Sequence, residues 1–162
     1  GSQHISLCSG SAHAIDNIAG TFIGPGDTVV VGAPTYPGAI RAFRARGAQL
    51  IDVPQDASGL RTDLLAELLG KTNIPPKLIY LIPTYDNPSG STMPLEKRHE
   101  LLQLAEAYRL LVVEDDAYAG LDLGVPPPPS LFELAGGRGV IHVGTASKTI
   151  ATGLRQVLKR PV

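Results

Sequence analysis

The fold is read from Leu110-Leu111-Val112-Val113-Glu114-Asp115-Asp116-Ala117-Tyr118. Four apolar residues in a row, two of them β-branched, describe a strand covered by helices on both faces rather than one with a solvated side. Three acids follow at once, so this strand carries carboxylates to the rim of an apolar layer. A buried carboxylate needs a cation or hydrogen-bond donors. On its own chemistry Asp115 is therefore either the partner of a protonated ring nitrogen or, with Glu114 and Asp116, a helix N-cap or metal ligand.

Working outward, strands and helices alternate along the chain. Strands are expected over 5–8, 28–31, 49–53, 77–82, 110–113 and 140–143, with a further one over 155–159. Between them, Ser9-Gly10-Ser11 opens a helix with Ile15, Ile18, Ala19 and Phe22 on one face, and Gly24-Pro25-Gly26 closes it. A second helix runs over 37–46 to a stop at Gly47, and a leucine-rich third over 63–69 to a stop at Gly70. Pro94 starts a fourth, whose buried face is Leu101, Leu104, Ala105 and Tyr108. Pro126 to Pro129 is a short stiff surface connection.

This alternation predicts right-handed crossovers and an α/β fold: a three-layer α/β/α sandwich around a mostly parallel, about seven-stranded sheet. Ligands of such sheets bind beyond the carboxyl ends of the strands. The unusual polar residues all fall at such ends: Gly10-Ser11, Tyr36, Asn87, Asp115, Tyr118, Ser147 and Lys148.

The last of these ends is Gly144-Thr145-Ala146-Ser147-Lys148-Thr149, followed by Gly153-Leu154-Arg155. Small neighbours admit a bulky ligand to the lysine, and a hydroxyl and a guanidinium supply anion partners. The arrangement suits a lysine that bonds covalently to a phosphorylated aldehyde. It is not a nucleotide phosphate loop, which needs the lysine directly after its second glycine; here Thr145, Ala146 and Ser147 intervene.

Other signals are weaker singly. Asp86-Asn87-Pro88-Ser89-Gly90 is first of all a good turn, although the Asn87 amide also suits a phenolic oxygen. Tyr36, between prolines, is either a packed loop residue or a platform for a flat ring. Gly10-Ser11-Ala12 opens a helix, where amides and dipole favour an anion, yet most such openings are only caps. His4, His13, His99 and His142 show no metal spacing and read as structural or solvated, and no nucleophile elbow is present.

Bulk properties narrow the class. The 162 residues carry a net charge of −1, 43% hydrophobic and 18% charged residues, as expected of one soluble globular domain. No basic cluster advertises nucleic acid. No apolar run approaches the roughly 18 residues that span a bilayer. The single cysteine, Cys8, forms no internal disulfide, so a reducing compartment, the cytoplasm, is expected. The chain starts almost directly on a strand and without methionine, so residues 1–162 are expected to be one domain cut from something longer.

Together these motifs resemble the fold-type-I pyridoxal-phosphate enzymes, in particular the class I/II aminotransferases and the related domains of certain bacterial transcription regulators. Five of them stand in the family's order: Ser9 to Ala12, Pro34 to Gly38, Asn87 to Gly90, Glu114 to Tyr118, and Ser147 to Thr149 with Gly153 to Arg155. The resemblance covers nearly the whole chain as the large, cofactor-binding domain.

The resemblance implies pyridoxal 5'-phosphate as cofactor and Lys148 as the residue that forms its Schiff base and moves the substrate proton. It implies Asp115 on the pyridinium, Asn87 and Tyr118 on the ring oxygen, and Tyr36 stacked on the ring. Ser11, the Ala12 amide, Ser147 and Arg155, with Thr145, would hold the phosphate. The implied reaction is transamination between an amino acid and a 2-oxo acid, of the broad aromatic or 2-aminoadipate type, in a homodimer. Thr152, Gln156 and Val157 depart from the family pattern, and the N-terminal segment and C-terminal small domain of the family are missing. Two alternatives follow: a cofactor-sensing domain of a regulator, and a catalytically incomplete fragment.

Overall fold

The apolar run at 110–113 leads into and forms the first half of a strand that lies near the centre of one sheet. The structure, a computed structural model, describes residues 4–118, 124–145 and 157–160. Its elements are β1 His4–Leu7, α1 Ser11–Phe22, β2 Thr28–Ala33, α2 Pro37–Ala45, β3 Gln49–Asp56, β4 Gly59–Leu60, α3 Thr62–Lys71, β5 Leu78–Leu81, α4 Leu95–Tyr108, β6 Leu111–Asp116, α5 Leu131–Leu134, β7 Val140–Gly144 and β8 Val157–Arg160.

The sheet order is β1-β8-β7-β6-β5-β2-β3-β4. Five neighbours, β3, β2, β5, β6 and β7, are parallel, while β8 runs antiparallel to both β7 and β1. Two reversals restore direction, so β1 points the same way as the parallel five. All six therefore bring their carboxyl ends to one edge. β8 begins at that edge, where β7 ends.

Alternation along β5 and β6 splits the core in two. Leu78, Tyr80 and Val113 pack with Ile15, Ile18 and Phe43 of α1 and α2 on one face. Ile79, Leu81 and Val112 pack with Leu65, Leu69, Leu101 and Leu131 of α3, α4 and α5 on the other. Phe43 meets Tyr80 edge to face at 5.9 Å between ring centroids, fixing α2 across the sheet. Side chains this well buried contribute about 1.5–3 kcal/mol each, so the two helix layers, not strand propensity, hold the sheet.

The structure adjusts several boundaries. Gly70 does not end α3, which continues through Lys71 to a cap at Thr72, because Gly70 keeps helical dihedrals and only costs propensity. Phe22 is 40% exposed rather than core, and α1 buries Ala14, Ile15, Ile18 and Ala19 instead. On α4 Leu104 and Tyr108 are only half-buried, and the face turned inward carries Arg98 with Leu101 and Ala105. The two-residue β4 adds an eighth strand to the seven expected. No helix among the described residues is long and apolar enough to cross a membrane.

Candidate functional site

β6 runs straight to the carboxyl edge and delivers Asp115 there, 3% exposed, on the α1/α2 face. In the β5–β6 register Tyr80 pairs with Val113, so Asp115 is its diagonal neighbour on the same face. The Tyr80 hydroxyl donates to Asp115 Oδ2 at 2.7 Å, and the bond is buried. Burial first, and then the negative charge of Asp115, push the phenol well above its ordinary range, so it remains a neutral donor. Tyr80 is a site residue that the motifs missed. Its place on the Leu78 face was readable from alternation, but its partner depended on an inter-strand register that a single sequence does not carry.

The loops after β2 and β5 complete the rim beside it. Asp86, buried, accepts from the Ser89 backbone N–H at 3.2 Å and the Ser89 hydroxyl at 2.7 Å. Gly90 N–H donates to Asp86 O and Asp86 N–H to Ser91 O, at 2.7 and 2.9 Å. The turn reading of this segment therefore holds, and the turn presents half-buried Asn87 at its bend. Tyr36 stands directly before α2 as its N-cap position. A Cβ at Gly38 would run into the Tyr36 ring, so this glycine is what lets the ring fold over the start of α2.

Two buried side-chain oxygens on these loops, Thr35 Oγ1 and Asp86 Oδ1, have no hydrogen-bond partner among the described residues. Buried polar atoms are rarely left so. At the same edge α1 opens at Gly10, whose φ of 105° suits glycine, with neither a side-chain cap nor an acid in its first turn. Ser11 is half-buried and Ala12 exposed. The first amides of this helix thus face the rim with no internal anion.

The opposite face of β6 is a different environment. Glu114, 0% exposed, accepts from Leu131 N–H at 2.7 Å and Phe132 N–H at 3.0 Å, and from His142 Nδ1 at 3.1 Å. The N-cap of α5 is Ser130, in a capping box with Glu133, so none of the three acids is that helix's N-cap; Glu114 instead accepts two amides of its first turn from across the fold. Asp116 lies 3.7 Å from His142 Nε2. Its carboxyl is pushed up to about 6, first by burial and then, against the attraction of His142, by the charge of Glu114. Arg98, fully buried, donates to Met93 O at 2.9 Å, Pro83 O at 3.0 Å, Thr84 Oγ1 at 2.8 Å and Pro129 O at 3.1 Å. It ties the proline-rich 126–129 connection to the loop that leads to Asn87. His142 thus stands between two carboxylates of β6, Glu114 and Asp116.

Tyr118, just past β6, and Thr145, just past β7, are half-buried at the same edge. The structure thus brings Ser11, Ala12, Tyr36, Asn87, Asp115, Tyr118 and Thr145 to one rim. Ser147, Lys148 and Arg155 lie outside the described residues. A groove of about 980 Å³ lies elsewhere, between α4, α5 and the amino ends of β6 and β7. It lies at the edge of the sheet opposite the rim that gathers the predicted site residues.

Comparison with known proteins identifies the family. The family profile for aminotransferase class I and II matches residues 2–155. A 2-aminoadipate transaminase from Thermus thermophilus is 42% identical over 94% of this chain and 39% of its own length. Aromatic-amino-acid aminotransferase 1 from Thermococcus litoralis is also 42% identical, over 93% of this chain and 37% of its own. The crystal structure of an alpha-aminoadipate aminotransferase from Thermus thermophilus, complexed with N-(5'-phosphopyridoxyl)-L-leucine, superposes with a TM-score of 0.90 at 40% identity, covering 98% of this chain and 41% of that one. The chain thus spans about two fifths of the length of the relatives it matches.

Proposed function

The chain belongs to the class I and II aminotransferases, and from that membership we propose that it is the cofactor-binding core of a pyridoxal-phosphate-dependent transaminase. The single observation that carries the proposal is the buried Asp115 carboxylate, fixed by Tyr80 at the rim where the other polar residues converge. The residues present fit the cofactor. Buried oxygens of Thr35 and Asp86 lack partners among the described residues, an acid suited to a protonated ring nitrogen stands at this rim, and α1 offers amides with no acid in its first turn. The relative bound to a phosphopyridoxyl amino acid supports the same choice.

In this reading Asp115 keeps the ring nitrogen protonated, Asn87 and Tyr118 hydrogen-bond the ring oxygen, and Tyr36 covers the ring. Ser11, the Ala12 amide, Thr145, Ser147 and Arg155 bind the phosphate. When bound, the cofactor supplies an electron-poor ring that stabilises negative charge at the substrate α-carbon. Lys148 would hold the cofactor covalently and carry the proton at the substrate α-carbon. The substrates are an amino acid and a 2-oxo acid, with the aromatic and 2-aminoadipate classes favoured by the named relatives. The working form is a homodimer in a reducing compartment, the cytoplasm, where Cys8 stays a thiol.

The test is an absorbance spectrum with added pyridoxal phosphate, before and after borohydride, followed by mass spectrometry of the peptide that contains Lys148. The expected result is a visible band that borohydride converts into an adduct on Lys148, absent from Lys148→Ala. Cofactor bound with no adduct on Lys148 would sink the assignment.

A further inference from the structure

Asp115 is held by a group that the catalytic motifs do not contain. Its Oδ2 lies 2.7 Å from the hydroxyl of Tyr80, a side chain that is 0% exposed and braced by Phe43. A ring gripped in this way has no second position to offer its hydroxyl, so the donor direction is set by the core and not by the rim. We propose that Tyr80 is a positioning residue for cofactor recognition, orienting the Asp115 carboxylate and keeping it an anion so that the site selects a protonated ring nitrogen. The inference rests on the functional reading above and goes beyond it, because it assigns nitrogen selectivity to a strand residue behind the acid.

The physical argument has two parts. A hydrogen bond donated to a carboxylate stabilises its charged form over its protonated one, and the effect is stronger where water is excluded. A pyridinium and a carboxylate form a charge-assisted pair only if the proton stays on nitrogen and the carboxylate plane faces it. Tyr80 supplies both conditions without touching the ligand. Its own proton is not lost to Asp115, because burial and the neighbouring charge raise the phenol well above its usual range. The other face of β6 steadies the backbone under Asp115, since Glu114 is bonded to α5 and β7.

The test compares two probes on the protein in its full-length context: pyridoxal 5'-phosphate, and its 1-deaza analogue, in which C–H replaces the ring nitrogen. Dissociation constants are measured for the natural protein and for Tyr80→Phe, with thermal melts to confirm folding. The expected result is that Tyr80→Phe weakens pyridoxal phosphate about tenfold, as loss of one bond to a charged group does, and leaves the analogue unchanged. Equal weakening of both probes would reduce Tyr80 to a packing residue and overturn the proposal, and so would no weakening of either. Failure of the natural protein to bind pyridoxal phosphate would instead defeat the functional reading, and the inference with it. Should Tyr80→Phe not fold, 3-fluorotyrosine at position 80 keeps hydroxyl and shape while making a stronger donor. Discrimination between the probes should then rise, and unchanged discrimination would count against the role.

Discussion

On one face of β6 Asp115 accepts a hydroxyl from Tyr80 at the rim where polar loops converge; on the other, Glu114 accepts two backbone amides and an imidazole deep under α5. The two carboxylates are adjacent in sequence and about equally buried, at 3% and 0% exposure, so burial alone does not separate a site residue from a structural one. What separates them is the kind of partner. Backbone amides of a helix start are fixed features of the fold, and an acid that meets them is consumed in holding two elements together. An acid held by a side chain of the sheet itself remains directed to whatever enters the rim. Asp116, on the Glu114 face but nearer the end, is a third case: its Oδ1 is buried without a partner among the described residues and its carboxyl is raised to about 6.

Replacing each acid by its own amide tests the comparison at constant shape, and the largest effect on stability is expected at Glu114. Its Oε1 serves Leu131 N–H while Oε2 serves Phe132 N–H and His142. Glutamine keeps one acceptor and turns the other into a donor, which leaves at least one buried amide facing another donor. Glu114→Gln is expected to cost about 2–3 kcal/mol, the penalty of an unsatisfied buried group. Denaturant unfolding measures it, and a loss below about 0.5 kcal/mol would show that α5 is not held through this acid.

Asp116→Asn should act in the other direction, by about 2 kcal/mol at pH 7, and only there. A carboxyl raised from 3.8 to about 6 holds its proton more firmly in the folded state. Its favourable contribution is present below about pH 4 and is lost as pH rises through about 6, since above that the native state must keep a buried charge. A shift of about two units corresponds to roughly 2–3 kcal/mol, trimmed here because the amide also forfeits the attraction of His142. The difference in stability between variant and natural protein should therefore be near zero at pH 4 and favour the variant at pH 7. A natural protein that gains on the variant as pH rises would mean that His142 holds Asp116 ionised, and Asp116 would then join Glu114 as a structural anion.

How much of this was legible in the sequence divides along the same line. Alternation, apolar runs and glycine stops gave every major strand and helix, because those depend on local periodicity and on burial common to the whole sheet. The rim residues were legible because they follow strands. What stayed hidden depended on distant partners. Nothing near Arg98 foretells that a helix would turn a charged side chain inward, since its four acceptors come from positions 83, 84, 93 and 129. Likewise Glu114, Asp115 and Asp116 are one acidic triplet to the reader of a sequence. Only the positions of α5, β7 and Tyr80 show that one ties a helix start to the sheet, one is a rim acid and one a raised carboxyl. Phe22 erred for the converse reason: helical spacing placed it on the apolar stripe, but at the end of α1 it is Ala19 and the capping Ile23 that are buried, while Phe22 is 40% exposed.

The smallest effect on stability is expected at Asp115, where the largest effect on the ligand should fall. Asp115→Asn keeps an oxygen for the Tyr80 hydroxyl and does not interrupt the bonds of Glu114 to α5, so unfolding free energy should change by less than about 1 kcal/mol. Affinity for pyridoxal phosphate should drop at least tenfold, because a neutral amide exchanges an ion pair with the ring nitrogen for a single uncharged contact. The pair of measurements, calorimetric melting and cofactor titration, sets this variant against Glu114→Gln, for which stability should fall first and affinity only as the fold loosens. If Asp115→Asn instead melted as early as Glu114→Gln while binding the cofactor normally, both faces of β6 would be structural. The recognition of the ring nitrogen would then have to come from another residue of the rim.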